Sequence, residues 1–345
     1  MAFLEIKNVK IVGIATGVPR NIIYTKDCFD CSSNYCVEDF IKSTGIISRR
    51  VNDQLTTSDL CYAAAEKLIE DIQWDKSEIE ALIFVTQGPD YVMPSTACIM
   101  QDKLNLKKEC YAAEIALGCS GWVYGLSYIT SILSSGSIKK ALLLVGEAKF
   151  PVDFEDPLQG YAGTATAIEY EKGATGFKFH CGTDGSGYDA IIVPDGGSRN
   201  GISEKSFIKE PVDGKMKNRL QSHMKGMDVF AFAISTIPKS LKKLIEHFDL
   251  NISEVDYWVF HQANLQIDEI IRGKLKIPGE KVPYSLHEFG NTSSASIPLT
   301  INTQLKGRIE NGMTRFICSG FGIGLSWGSV YFETNNIILS DLVEI

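Results

Sequence analysis

Several features are scarce in this chain of 345 residues, and each scarcity closes off a class of function. No run reaches the roughly 18 consecutive apolar residues of a membrane-spanning helix. The opening stretch MAFLEIKNVKIVGIATG breaks its apolar residues with charges and has no cleavage pattern behind it, so it reads as a first strand rather than a targeting segment. These two observations predict a cytosolic protein with no membrane partner. Positive charge is in deficit, with 34 Lys and Arg against 42 Asp and Glu and a net charge of −8. With no basic stripe to neutralise phosphates, nucleic acid is excluded as an expected partner. Lys239, Lys242 and Lys243 make a small basic spot, either a solvated helix face or a docking point for an acidic carrier. Histidine is limited to five residues, and the nine cysteines are odd in number and scattered, which fits reduced thiols rather than a disulfide framework. Cys28, Cys31 and Cys36 cluster, yet no second CxxC or HxxxH follows at zinc-like spacing, so no metal is expected.

What is present suits a globular protein: 44% of residues are hydrophobic and 22% charged. The length allows two domains or one large double-layered unit. In the first half, KNVKIVGIATGVP, EIEALIFVTQ, CYAAEIAL and KKALLLVGE read as strands. Between them VEDFIKSTGI, LCYAAAEKLIEDI, PSTACIMQDKL and CSGWVYGLSYITSILSSG read as helices, with Thr57, Ser58 and Asp59 offering caps and Gly45 and Gly136 offering stops. The second half has a similar order: DVFAFAISTIPKSLKKLIEHF, LQIDEIIRGKL and SSASIPLTINTQLKGRI are helical, while VDYWVFHQA and TRFICSGFGIG are strands. Residues 170 to 225, rich in Gly, Asp and Lys, read as strands and loops covering the surface. The expectation is an α/β fold with parallel sheet buried between helical layers, in two halves, residues 1–170 and 171–345.

One stretch stands out. From Glu114 to Trp122 the chain reads EIALGCSGW, a cysteine between glycines where an apolar run becomes a helix. A helix N-terminus favours thiolate, and cysteine pKa values there fall from about 8.5 to roughly 3.5–7.5. Gly118 and Gly121 leave the sulfur of Cys119 approachable, although a buried, inert cysteine is an equal reading of that residue alone. His261 follows the strand VDYWVF within FHQAN, and Asn291 sits in GNTSSAS. Either could be an ordinary packed or capping residue. Yet ligands of such sheets gather beyond the carboxyl ends of strands, and all three residues fall at element ends. The glycine turn GFGIGLSWG could turn backbone N–H groups toward a reacting carbonyl.

Taken in order, GCSG, HQAN, GNTSSASIP and GFGIGLSWG resemble the ketoacyl synthase III family of the thiolase fold, whose members start fatty-acid and some polyketide chains. STGIISRR, MPSTACIMQ, TDGSGYDAIIVP and MKGMDVFAFA extend the likeness over nearly the whole chain. The resemblance implies a thiolase-like duplicated, layered fold and a homodimer. It implies that Cys119 accepts an acyl group from a thioester such as acyl-CoA, and that a malonyl group on acyl carrier protein then loses CO₂ and attacks it. His261 and Asn291 would donate hydrogen bonds to the malonyl thioester oxygen, and the N–H groups of Cys119 and Ile323 would hold the acyl-transfer oxyanion. Phe40, Met93, Asn264 and Phe321 become substrate-contact candidates, Met93 across the dimer. No cofactor is implied beyond the two thioester substrates.

Three departures bear on the substrates. A Trp and an Arg that grip the CoA adenine in the family are Phe40 and Ser43 here, an Arg after HQAN is Gln266, and an FGDGAGA-like stretch is YAGTATA. Phe40 can still stack on a base, but two cations are gone. Three rivals remain. A papain-like hydrolase shares the Cys, His, Asn order, but its cysteine lies near the mature N-terminus in a CGSCW-type motif. Acyl transfer to a hydroxyl or amine needs Cys119 and His261 but not a second enolate donor. A silent partner subunit would not need the complete set.

Overall fold

The computed structural model describes residues 2–28, 36–148, 156–212 and 214–345. Two sheets organise it. The larger has seven strands: Ile338–Leu339, Val9–Val18, Ala162–Tyr170, Lys140–Glu147, Ala81–Val85 and Tyr111–Ile115 in that spatial order, with Val343–Glu344 also paired to Val9–Val18. The second runs Ala2–Ile6, Phe177–Thr183, Ser326–Asn335, Met313–Gly322 and Tyr257–Phe260.

Alternation along the strands explains the layering. Ile83 and Val85 face one side of Ala81–Val85, where they join Trp122, Leu126 and Ile129 of the helix Gly121–Leu133 and Ile297 and Ile301 of the helix Ser296–Gln304. Phe179, Phe316, Val330 and Phe332 of the second sheet close the same core from its far side. Leu82 and Phe84 face outward onto the helices Thr57–Asp71 and Thr96–Lys103. Trp258, Phe260 and Ile317 likewise face the helices Gly226–His247 and Leu265–Leu275. Five layers result, helix, sheet, helix, sheet, helix, as the reading of buried sheets between helical layers anticipates.

Local signals agree with this frame. Thr56 and Asp59 form a reciprocal capping box on Thr57–Asp71, one residue earlier than the caps expected from sequence. Gly45 ends the helix Val37–Thr44 at φ +76°.

Three expectations need correction. Parallel pairing is confined to Tyr111–Ile115, Ala81–Val85 and Lys140–Glu147, to Tyr257–Phe260 on Met313–Gly322, and to the short C-terminal strands on Val9–Val18; the remaining strands of the two sheets pair antiparallel. Within residues 170 to 225, Phe177–Thr183 is no surface strand: it pairs on both edges, and Phe177 and Phe179 are core. A boundary at residue 170 also fails at the chain ends. Ala2–Ile6 belongs to the second sheet, paired to Phe177–Thr183, and Ile338–Leu339 to the first, paired to Val9–Val18.

Among the described residues no helix is long and apolar enough to cross a membrane. Of the cysteine cluster, Cys28 and Cys36 are exposed, and Cys31 lies outside the described residues.

Phe332 stacks on Phe316 at 5.1 Å and meets Phe177 and Trp122 at 5.6 and 6.2 Å, joining the second sheet to the central helices. Phe332→Ala should therefore cost about 3–5 kcal/mol, read from the midpoint of chemical denaturation.

Candidate active site

The carboxyl ends of the parallel strands converge on one cavity of about 110 Å³. Its walls include Cys119, Glu147, Gly160, Asn291, Ser293 and Ile323. Cys119 follows Tyr111–Ile115, Glu147 ends its own strand, and Ile323 follows Met313–Gly322. The central helices supply the rest: Cys119 stands just before Ser120, the N-cap of Gly121–Leu133, while Asn291 and Ser293 lead into Ser296–Gln304.

The glycines around Cys119 have separate tasks. A Cβ on Gly322 would come within 2.8 Å of Cys119 Sγ, so only glycine leaves the sulfur room there. A Cβ on Gly118 would fall 2.4 Å from Gln87 Oε1, and one on Gly320 would fall 2.9 Å from the Cys119 carbonyl oxygen. Backbone N–H groups of Ile323 and of Cys119 itself act on Sγ, and the Ser293 hydroxyl lies 3.9 Å from it. These are the two N–H groups assigned from sequence to the oxyanion. Ile323 also lines the cavity, its Cδ1 reaching to 3.4 Å from where a Cβ on Gly118 would stand.

The acidity of Cys119 departs from expectation. Loss of water pushes its thiol up, and this outweighs the lowering by Ser293, Ile323 and its own N–H. A helix N-terminus favours a bare thiolate, but here burial keeps the proton on sulfur.

Asn291 is fixed at both ends of its backbone: its N–H donates to the Leu158 carbonyl at 2.8 Å and its own carbonyl accepts from Gly160 N–H at 3.1 Å. Its side-chain Oδ1 accepts from Ser293 N–H at 2.9 Å. That bond assigns the oxygen, so the NH₂ is the end left to donate into the cavity. Gly160 is needed here, since a Cβ would meet the Phe289 carbonyl oxygen.

His261 stands behind this wall, not on it. It is 2% exposed, with its ring edge-to-face on Phe321 at 5.5 Å and 85°. One ring nitrogen donates to the Ser293 carbonyl, and Nδ1 then accepts from the Ser296 hydroxyl at 2.8 Å. Desolvation lowers its pKa to about 4, so the ring is neutral at physiological pH. Ser293, held at φ +49°, thus lies between His261 and the sulfur, touching both.

The four substrate-contact candidates are not on this cavity. Phe40 packs with Ile46 and Leu286 and lacks the open face that stacking on a base requires. Phe321 is buried behind His261 as its support. Asn264 caps the helix Leu265–Leu275, its Oδ1 accepting from Ile267 N–H at 2.9 Å. Met93 is 81% exposed and follows Tyr91 and Val92, both exposed as well.

Sequence reasoning missed Glu147, Ser293 and Ser296. Glu147 carried a signal: ALLLVG is an unbroken buried run, and a carboxylate closes it where ligands collect. Its surroundings raise its pKa to about 8, chiefly by desolvation, against the lowering from Gln87 and Gly88 N–H and the Thr86 hydroxyl.

Gly322→Ala should place a methyl over the sulfur. Iodoacetamide alkylation of Cys119 is then expected to slow by at least about tenfold, with little change in far-UV circular dichroism.

Comparison with known proteins gives the family. The family described as 3-oxoacyl-[acyl-carrier-protein (ACP)] synthase III matches residues 113–185, and its C-terminal counterpart matches residues 245–334. A beta-ketoacyl-[acyl-carrier-protein] synthase III of Campylobacter concisus is 33% identical over 341 residues, covering 96% of this chain and 98% of its own. One of Clostridium acetobutylicum is 33% identical over 334 residues, covering 94% and 98%. The crystal structure of a 3-oxoacyl-(acyl-carrier protein) synthase from Burkholderia xenovorans superposes with a TM-score of 0.92 at 34% identity, covering 100% of this chain and 99% of that one. With the cysteine, the asparagine and the two backbone donors in one cavity of a five-layered fold, the chain belongs to the 3-oxoacyl-[acyl-carrier-protein] synthase III family.

Proposed function

We propose that this protein is a cytosolic acyltransferase that makes a 3-oxoacyl thioester in two steps. Cys119 Sγ attacks an acyl thioester, releasing the carrier thiol and leaving the acyl group on sulfur. A malonyl thioester then loses CO₂, and the resulting enolate carbon attacks the acyl-enzyme and expels the Cys119 sulfur. The observation that carries this reading is the convergence on one sulfur of the Ile323 and Cys119 N–H groups, with the Asn291 amide in the same cavity. Neutral donors set before the reaction stabilise negative charge as it develops. Asn291 has its Oδ1 occupied and its NH₂ available, the polarity an enolate requires. His261, neutral and held by Ser296, would be the second donor once the Ser293 carbonyl yields its ring N–H. The scheme calls on no resident cofactor.

Two partners follow. The exposed Lys239, Lys242 and Lys243 on Gly226–His247 are our docking points for an acidic acyl carrier protein. A second copy of the chain would pair along Tyr111–Ile115, the free edge of the seven-stranded sheet, where the exposed Tyr91, Val92 and Met93 would find cover.

Intact-protein mass after incubation with acyl-CoA thioesters tests the first step. The wild type should gain one acyl group and Cys119→Ala none. Malonyl-carrier protein should discharge that group as a condensed product with CO₂ release. Asn291→Ala and His261→Ala should still acylate, while condensation falls about 10²–10³-fold. Discharge by hydroxylamine-like or alcohol acceptors with no CO₂ would instead establish acyl transfer without condensation. Separately, Tyr111→Arg, which puts a charge on an exposed position of the free edge strand, should reduce the mass in light scattering from dimer to monomer.

A further inference from the structure

Acyl transfer to a thiol poses a proton problem. The Cys119 proton must leave Sγ as it attacks, and the departing thiolate must gain one. Burial keeps Cys119 protonated, so the step needs a carrier. His261 is badly placed for this: one ring nitrogen serves Ser296, the other the Ser293 carbonyl, and the ring does not reach the cavity wall. The Ser293 hydroxyl is no base at neutral pH.

Two acids, Glu147 and Asp156, lie on that wall, and Glu147 is the buried one. It is 4% exposed at the carboxyl end of Lys140–Glu147. Its Oε1 accepts from Gln87 N–H at 2.8 Å and its Oε2 from the Thr86 hydroxyl at 3.2 Å, with Gly88 N–H also directed at it. Uncharged donors therefore hold the carboxylate, and they tolerate both its protonation states. Gln87 links it to the nucleophile: the same residue that grips Glu147 by its N–H sets its side chain against Gly118, next to Cys119. Gln87 Oε1 is buried with no hydrogen-bond partner among the described residues, an acceptor suited to one bridging water.

Resting on the acyl-transfer reading of this cavity, we propose that Glu147 is the proton carrier of the acylation step. As carboxylate it takes the Cys119 thiol proton while Sγ bonds to the thioester carbon. As carboxylic acid it gives that proton to the departing carrier thiolate when the old C–S bond breaks. One proton moves from one thiol to another, and Glu147 ends as it began. The groups that face it suit a carrier active near neutrality. Cys119 acts on it across the cavity, Cys61 adjoins it from Thr57–Asp71 with Asp90 beyond, and Asp156 and Lys217 stand on the same cavity wall. Its pKa, raised to about 8, lets both protonation forms be populated between pH 7 and 9.

Two reactions of Cys119 separate this role from a merely structural one. Both need the sulfur, but only acylation must deliver a proton to a leaving thiolate. In rapid-quench mass measurements at pH 7 with acetyl-CoA, Glu147→Gln should slow acylation by about 10²-fold. Iodoacetamide alkylation should fall by clearly less, since Sγ must still lose its proton there but no departing thiolate has to gain one. The wild-type acylation rate should rise with pH through an apparent pKa near 8, and the variant should lose that limb. Glu147→Asp, which withdraws the carboxylate by one methylene but keeps its chemistry, should fall between the two and serves should Glu147→Gln fold poorly. Unchanged acylation in either variant, or equal loss of acylation and alkylation, overturns the inference while leaving the acyl-enzyme intact. A wild type that no acyl thioester labels overturns the acyl-transfer reading and this role together.

Discussion

Close packing of two helices between two sheets is the constraint on which the site depends. The helix Gly121–Leu133 lies so near the larger sheet that a Cβ on Gly125 would meet Leu143 and Val85 at 2.8 Å. A Cβ on Gly121 would meet Val85 at 2.8 Å and Ser294 at 3.2 Å, so the start of one central helix touches the approach to the other. Apolar burial on both faces drives this arrangement, and glycine permits the approach. Its consequence is chemical: the helix start that carries Cys119, the turn that carries Asn291, and the strand end that carries Ile323 cannot separate without opening the core.

The same packing sets the electrostatics. Removing water raises the Cys119 thiol, raises Glu147 to about 8 and lowers His261 to about 4, and all three shifts favour the uncharged form. Apart from Asp156 and Lys217 on its wall, a cavity built in this way holds little resting charge around the sulfur and is lined there by donors whose dipoles are already oriented. Charge then arises only on reacting atoms, where a low-dielectric surrounding strengthens each hydrogen bond. The cost falls on stability. An isolated carboxylic acid such as Glu147, with a folded pKa above its unfolded one, binds its proton more tightly in the folded state. Its contribution is fully present below the unfolded pKa and is lost as pH rises through about 8.

The chain ends tie the halves together. Ala2–Ile6 completes the second sheet and Ile338–Leu339 the first, so neither sheet closes without chain from the other end. The two halves accordingly share one central core, which contains residues from Ile6 to Leu339.

Much of this was legible in the sequence, because it depends on local pattern. Periodicity marked most helices and parallel strands, glycine marked the stops, and the order of GCSG, HQAN, GNTS and GFGIG marked the residues to which we assign the chemistry. Phe177–Thr183 escaped notice because its polar His180 and Lys178 break the apolar run, although pairing on both edges buries the strand. Strand partners of the chain ends were equally invisible, since open edges are a property of the assembled sheet. Charge states were decided by tertiary structure alone. A helix start predicts an acidic thiol and a lone glutamate predicts an ionised one, yet desolvation by groups distant in sequence reverses both. What the sequence by itself determined was the kind of reaction and the residues proposed for it; which of those residues share a cavity, and where their protons rest, was decided only by how far packing excludes water.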